Sequence, residues 1–304
     1  MEFFHFDLKL YVDDYQLPIY LNIIEPGEHP KYQFHDHNSS EIIIVLDGSA
    51  EHIVSHPDQP HKTLKSHLNT GDVLVLHPGP QHAYTNTETL RLCNIIYDQH
   101  SLAMPILDGH TLPFFRKIFP EQNIKEKKLS AEPAGRLEKE QLEWLMPQLL
   151  ELQQLLDNPA PGNTLDVLSL FIRITIKLSK MLSKPDLANP VDRYRIGKAI
   201  WRMHTDFAQT LTLDELAASV NMSRRNFCRY FRQITGTSPT QYLMRIRLEH
   251  ALEMLKDPGK SIVMIALSCG FYDGNYFCKQ FRKHMNMSPG AYRRQLLKTS
   301  TLAN

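Results

Sequence analysis

The hydrophobic pattern changes character part-way along the 304-residue chain. Before about residue 100 the apolar residues fall in short or alternating runs: Ile19 to Ile24, Glu41 to Leu46, Ala50 to Val54, Val73 to Leu76 and Leu90 to Tyr97. Turn-forming residues separate them, at Pro26-Gly27, Asp47-Gly48, Thr70-Gly71-Asp72 and Pro78-Gly79-Pro80. Many short strands punctuated in this way predict an antiparallel sandwich or barrel. Beyond residue 137 the apolar residues recur every three or four positions, the period of a helix with one buried face. Glu138 to Leu156 carries Leu142, Leu145, Leu149, Leu152 and Leu156, with Pro147 expected to kink it. Leu165 to Leu182 carries Leu168, Phe171, Ile172, Thr175 and Leu178. Such a helical pair can pack on the strands or form a dimer interface. Met104 to Ile124 reads as a loop-rich connector whose Phe114, Phe115 and Ile118 pack onto the strands. Residues 183–192, with two prolines and polar flanks, read as an exposed linker. A helix is then expected from Arg195 to Asp206, anchored in its core by Trp201.

The stretch from Leu211 to Gly236 is the most informative in the chain. Leu213, Leu216, Ala217 and Val220 predict a helix, with Thr212 as its cap and Glu215 as capping-box partner. Asn221 and Met222 break it. Ser223 opens a second helix with Phe227, Phe231 and Ile234 facing inward and Arg224, Arg225, Arg229 and Arg232 facing outward. An apolar rear and an arginine-bearing front suit a DNA major groove, where guanidinium groups reach phosphates and guanine edges. The pattern then repeats. A shift of 50 positions superimposes Phe227 on Phe277, Cys228 on Cys278, Phe231 on Phe281, Arg232 on Arg282, Pro239 on Pro289 and Tyr242 on Tyr292. Core and basic positions recur together, so one supersecondary unit is used twice. Pro239 to Leu255, with Tyr242, Leu243, Ile246, Leu248, Ala251, Leu252 and Leu255 inward and Arg245, Arg247 and Glu249 outward, is the expected strut between the copies. Such a strut can hold two recognition helices about 34 Å apart, one turn of DNA.

Two helix-turn-helix units, each followed by Ser-Pro and a Tyr-bearing helix, resemble the AraC/XylS transcription regulators. The segment from Ala266 to Arg294 is similar to that family's signature, and the resemblance covers about Arg193 to Leu297. It implies base or phosphate contacts by Arg224, Arg225, Asn226 and Arg229 in the first unit, and by Asp273, Asn275, Tyr276 and Lys279 in the second. Asn275 can pair with adenine; Asp273 either accepts from cytosine or caps its helix. Arg232 is assigned to phosphate. RNA polymerase and a second copy of the chain are the further partners that the resemblance implies.

Charge supports a division of labour. The chain carries a net +1, but residues 193–304 hold 18 Lys and Arg against 7 Asp and Glu, a local +11. The remainder holds 16 basic and 26 acidic residues, a local −10. Only the C-terminal part is built to meet a polyanion. The four cysteines, at 93, 228, 269 and 278, have no metal-knuckle or disulfide spacing. The N-terminus lacks a secretory signal pattern and no window approaches a membrane span, so a cytoplasmic protein is expected.

The acidic half contains a second constellation. His35, His37 and Glu41 precede Gly48, and Gly71 precedes Pro78-Gly79 and His82. This spacing resembles both halves of the cupin pattern, and His-x-His before a Glu-Ile-x-x-Val strand is similar to the L-rhamnose-responsive branch of the regulators. In metal-binding cupins the positions of His35, His37, Glu41 and His82 hold a divalent ion, and three imidazoles with a carboxylate suit Fe, Mn, Ni or Zn. In the regulators the same residues can instead form a polar wall, and no cofactor is required. With Tyr84 they offer the donors and acceptors that a sugar or similar polar metabolite needs.

These observations predict a multidomain chain. A cupin-like β-barrel for effector sensing spans residues 1–130, a helical dimerisation segment 131–182, a linker 183–192, and an all-α DNA-binding domain 193–304. The expected function is a DNA-binding regulator, an activator controlled by a small polar metabolite, and not an enzyme. The competing class is a metal-dependent cupin enzyme, an oxygenase or isomerase, using His35, His37, Glu41 and His82. An RNA-binding role is disfavoured because no aromatic stacking platform accompanies the basic surface.

Overall fold

A computed structural model describes residues 4–12, 16–29, 34–56, 59–99, 101–102, 109–120, 130–183 and 190–302. The chain forms two compact units. The first contains the described residues up to Leu102, together with 114–119 and 130–183; the second contains 109–113, Pro120 and 190–302.

Among the described residues of the first unit ten strands make two five-stranded sheets. In chain order they are β1 (Phe4–Phe6), β2 (Ile19–Ile24), β3 (His35–His37), β4 (Ser40–Asp47), β5 (Ser49–His56), β6 (Gln59–Asn69), β7 (Asp72–Leu76), β8 (Gln81–Thr85), β9 (Arg91–Tyr97) and β10 (Gly135–Arg136). One sheet has the order β1-β3-β8-β5-β6, the other β10-β7-β4-β9-β2. Among the described strands no ladder joins the two sheets, so the expected closed barrel is a two-sheet cupin sandwich. Side chains alternate across each strand, and the inner faces bury Ile43, Val45, Ala50, Leu68, Leu74, Tyr84, Leu90 and Leu92 in one cluster. The turn between β4 and β5 needs glycine. Gly48 has φ +77°, and a Cβ there would lie 1.9 Å from the Thr89 carbonyl oxygen.

Helix α1 (Phe115–Ile118) and the pair α2 (Lys139–Asp157) and α3 (Asn163–Leu182) cover this sandwich. The Tyr97 hydroxyl donates to the Ile118 carbonyl, and Phe171 of α3 packs 5.5 Å from the Tyr97 ring. The leucine stripe therefore packs inside the unit, burying Leu145, Leu149 and Leu152, while Leu150 and Leu165 remain exposed. Helix α2 continues through Pro147. The connector splits its allegiance. Phe114, Phe115 and Ile118 are buried with the first unit, whereas the short turn Gly109–Thr111 belongs to the second, its Thr111 carbonyl accepting from Arg193 at 3.2 Å. Residues 184–189 of the expected linker lie outside the described residues.

The second unit consists of α4 (Pro190–Thr205), α5 (Leu213–Ser219), α6 (Arg224–Thr235), α7 (Pro239–Leu255), α8 (Ile262–Ser268), α9 (Gly274–Met285) and α10 (Pro289–Leu302). It has two cores joined by α7. Tyr242, Leu243 and Ile246 close the first core with α4, α5 and α6. Leu248, Ala251, Leu252 and Leu255 close the second with α8 and α9. Helix α4 starts at Pro190, earlier than Arg195, because proline is well suited to a first helical turn. Trp201 is not the anchor expected. Ile196, Ala199, Ile200 and Met203 form the buried stripe, and Trp201, a residue past Ile200 and so about 100° round the helix, is 52% exposed. Arg245 and Arg247 are likewise not simply outward. Arg247 donates to the carbonyls of Phe207 and Gln209, both at 2.8 Å. Arg245 lies over the Tyr242 ring, and its burial lowers its pKa to about 10. Among the described residues no helix is long and apolar enough to cross a membrane.

Candidate DNA interface and effector pocket

Each helix-turn-helix unit is held by caps that its sequence supplies. Thr212 accepts from the Glu215 amide at 3.2 Å and Glu215 accepts from the Thr212 amide at 2.9 Å, a closed capping box. Asn221 takes the left-handed turn conformation, φ 53°. Ser223 caps α6 by accepting from the Asn226 amide, and Gly236, φ 81°, ends it. Phe227, Phe231 and Ile234 hold the inner face of α6, leaving Arg224, Arg225, Asn226, Arg229 and Arg232 exposed. These arginines differ in freedom. Arg224 pairs with Asp214 of α5 at 3.2 Å, and Arg229 donates to the Asn226 amide oxygen at 3.4 Å and covers the Tyr230 ring.

In the second unit Asp273 accepts from the Tyr276 amide at 2.7 Å, a cap bond that heads the influences holding its carboxyl below the usual range. Tyr276 is half-buried, with its ring against Phe271 and Tyr272. Asn275 and Lys279 are exposed. Gly274 at the start of α9 lies close to α8, where a Cβ would be 3.3 Å from Val263.

The pocket lies between the two sheets of the first unit. His35 and His37 sit on β3 and Glu41 on β4, strands of different sheets, so the chain crosses between sheets at Asn38-Ser39. They therefore face one another from opposite walls rather than along one strand face. His37 Nε2 lies 3.1 Å from Glu41 Oε2, close but off the axis of a hydrogen bond, and its Nδ1 is 2.6 Å from the Ser39 carbonyl. His82 Nε2 is 3.5 Å from the same carboxylate oxygen. His35 stacks on His82 with ring centres 4.1 Å apart. Burial tends to raise the Glu41 pKa, but the adjacent His37 reverses this and the net shift is down. Burial likewise tends to lower His37, but Glu41 brings its net shift up. Burial, reinforced by the other imidazoles, holds His82 well below an ordinary histidine, and burial takes His52 to about 4. These shifts favour an ionised Glu41 beside neutral His52 and His82.

In front of this cluster lies a cavity of about 220 Å³. His29, His35, His37 and Glu41 form its polar end, Phe4, Phe6, Tyr11 and Tyr20 its aromatic side, and Asn22 and Asn94 another wall. His82 and Tyr84 do not line it; they are fully buried behind, and the Tyr84 hydroxyl has no hydrogen-bond partner among the described residues.

Comparison with known proteins matches both halves. A helix-turn-helix domain model covers residues 216–295 and a cupin model covers residues 29–130. A solved transcriptional regulator of AraC type from Chromobacterium violaceum is 35% identical over 36% of this chain and 96% of its own, with a TM-score of 0.33. The chain belongs to the AraC/XylS family. As a member of that family it is a transcription regulator whose helix-turn-helix units bind promoter DNA. Among relatives of known function, the transcriptional activator RhaR of Mannheimia succiniciproducens is 25% identical over 88% of this chain and 90% of its own. RhaR of Pectobacterium atrosepticum is 25% identical over 95% of this chain and 96% of its own. The activator RhaS of Citrobacter koseri is 27% identical over 84% of this chain and 85% of its own.

For an AraC/XylS regulator the chain showed its DNA-binding face openly and its pocket only in part. Phe6, Tyr11, Tyr20, Asn22, His29 and Asn94 were missed. The strands that hold Asn22 and Asn94 were predicted, and a lone asparagine inside each apolar run was the available signal. The aromatic residues gave none, because two strands and a loop bring them together.

Proposed function

We propose that the chain is a sugar-responsive transcriptional activator acting in the cytoplasm, without enzymatic turnover. The observation that carries this is the cavity itself. It is sized for one monosaccharide and pairs an aromatic side with a hydrogen-bonding end, in the same chain as a strongly basic pair of helix-turn-helix units. The family likeness of both halves and the activator relatives support the reading. His35, His37 and Glu41 contact the effector, and His82 and Tyr84 support them from behind. On the DNA side Arg225 and Arg229 are the base readers of the first unit, a bidentate arginine to guanine being worth about 1–3 kcal/mol of discrimination. Arg224 and Arg232 meet phosphate. Asn275 and Lys279 contact DNA from the second unit, while Asp273 and Tyr276 position its helix. The chain acts as a homodimer through the exposed side of the α2–α3 pair and recruits RNA polymerase. Ligand binding shifts the population of dimer arrangements toward one that fits the promoter. The test is DNA binding by residues 193–304 alone, which should be indifferent to sugar; a sugar response in that fragment rules the mechanism out.

A second reading of the buried cluster rests on a specific observation. Ligand atoms of His37, Glu41 and His82 lie within 4.8 Å of one another, and both His82 nitrogens lack a hydrogen-bond partner among the described residues. A divalent ion takes neutral imidazoles and an ionised carboxylate; Glu41 and His82 are shifted toward those states and His37 would give up the proton that Glu41 favours, so the residues fit such an ion with three ligands rather than the expected four. When bound it would act as a Lewis acid toward effector hydroxyls in the cavity. Metal analysis of purified protein decides this: stoichiometric metal lost in His82→Ala supports the ion, and metal-free protein with full sugar response removes it.

A further inference from the structure

The strands β2 and β9 contain two asparagines to which neither DNA binding nor the histidine cluster assigns a role. Asn22 and Asn94 are direct cross-strand partners, and Ile43 of β4 continues their row. The next row toward the polar end is Tyr20, Ile96 and Glu41. Elsewhere this inner sheet face is apolar, with Ile43, Val45, Leu74 and Leu92 wholly buried. Strand propensity and core packing both favour a β-branched residue at such positions, and an unpaired buried amide is costly. Yet Asn94 Oδ1 is buried with no hydrogen-bond partner among the described residues, and both amides line the cavity. The fold does not explain them; a ligand does. Across the same cavity Phe6 stacks on Tyr11 with ring centres 4.3 Å apart, and Tyr20 closes the group at 5.2 Å from Tyr11.

We propose that Asn22 and Asn94 are specificity residues that together read two adjacent hydroxyls of a monosaccharide, while Phe6, Tyr11 and Tyr20 take the C–H face of its ring. An amide offers one acceptor and two donors, and each sugar hydroxyl is both donor and acceptor, so neighbouring amides can match neighbouring hydroxyls. The aromatic side selects a ring with an apolar face. This assignment rests on the reading that the effector is a sugar.

The experiment is calorimetric titration of the full chain with L-rhamnose, L-mannose, L-fucose and D-glucose, followed by deoxy analogues of the sugar bound most tightly. Wild type is compared with Asn22→Ala, Asn94→Ala and Asn94→Ser. Each alanine variant should lose about ten- to a hundredfold in affinity. One deoxy analogue that wild type rejects should be bound by an asparagine variant almost as well as the parent sugar. Because the Asn94 oxygen is unpaired without ligand, the melting temperature without sugar should not fall, which a merely structural role would require. If Asn94→Ala does not fold, the affinity and selectivity of Asn22→Ala decide the matter. Variants that keep wild-type affinity and selectivity overturn the assignment and leave the sugar reading standing. A wild-type protein that binds none of the sugars overturns both.

Discussion

Gly270 tests whether the second helix-turn-helix unit is built as described. It sits in the turn between α8 and α9 with φ +79°, and a Cβ there would lie 2.7 Å from the Phe207 carbonyl oxygen and 2.9 Å from that of Ala208. Both neighbours are backbone, and Arg247 anchors the same loop through the Phe207 and Gln209 carbonyls. Gly270→Ala therefore incurs two separate costs. Left-handed backbone strain is about 1–2 kcal/mol, and forcing an anchored loop aside adds about 2 kcal/mol more, within the range for overpacking. Gly236 is the internal control. Its φ is +81°, but nothing lies within 4 Å of its Cβ position, so Gly236→Ala should lose the strain alone. At about 4 °C per kcal/mol for a domain of this size, the melting transition of the DNA-binding domain should fall by about 4–8 °C in Gly236→Ala and by about 12–16 °C in Gly270→Ala. Calorimetry of the full chain resolves the transition. Equal losses in the two variants would refute the packing of the 207–208 loop against this turn.

Other consequences are as direct. His52 has its pKa taken to about 4 by burial, below the ordinary 6.5 of an unfolded chain. Its neutral form is therefore favoured by folding, and that contribution is complete above pH 6.5 and is lost as pH falls toward 4. Between pH 7 and pH 5 it should cost the sensor about 2 kcal/mol. His82 acts in the same direction, while His37, raised by Glu41, opposes them. A sensor-domain melting temperature that is unchanged or higher at pH 5 would contradict the buried-imidazole account. Asp273→Ala should lower stability by about 1 kcal/mol through loss of the cap, and Asp273→Ser should recover most of it. If the serine variant folds normally yet alters base preference at one operator position, Asp273 reads DNA as well as capping α9.

The two halves were unequally legible. In the C-terminal unit the signals are local. A capping box, a positive-φ asparagine and a phenylalanine spacing of four residues all lie within one stretch, and its repetition removes ambiguity. What local periodicity could not show is how α7 divides its apolar face between two cores, which is why Arg245 and Arg247 looked outward, yet Arg245 lies over the Tyr242 ring of its own helix and Arg247 binds the loop carbonyls of Phe207 and Gln209. Trp201 misled for a related reason: its size suggested a core, but its phase on α4 is wrong. In the sandwich, short apolar runs revealed β2, β4, β5, β7 and β9. The strands β6 and β8 are too polar for that signal, since their pairing depends on a distant partner. The position of Glu41 opposite His37 depends on the chain changing sheets in two residues, a crossing that no period in the sequence encodes.

In the proposed function one chain joins sugar sensing to promoter recognition. Its most direct test is binding of the full-length protein to the DNA upstream of its own gene at physiological salt, with and without L-rhamnose and related sugars, alongside Arg225→Ala and Arg229→Ala. The expected result is specific binding that each substitution weakens by about tenfold or more, and that one sugar changes in affinity or in transcriptional output. Specific binding that no sugar alters would detach the cavity from regulation. Binding that persists equally in both arginine variants would contradict the assignment of α6 as the reading helix.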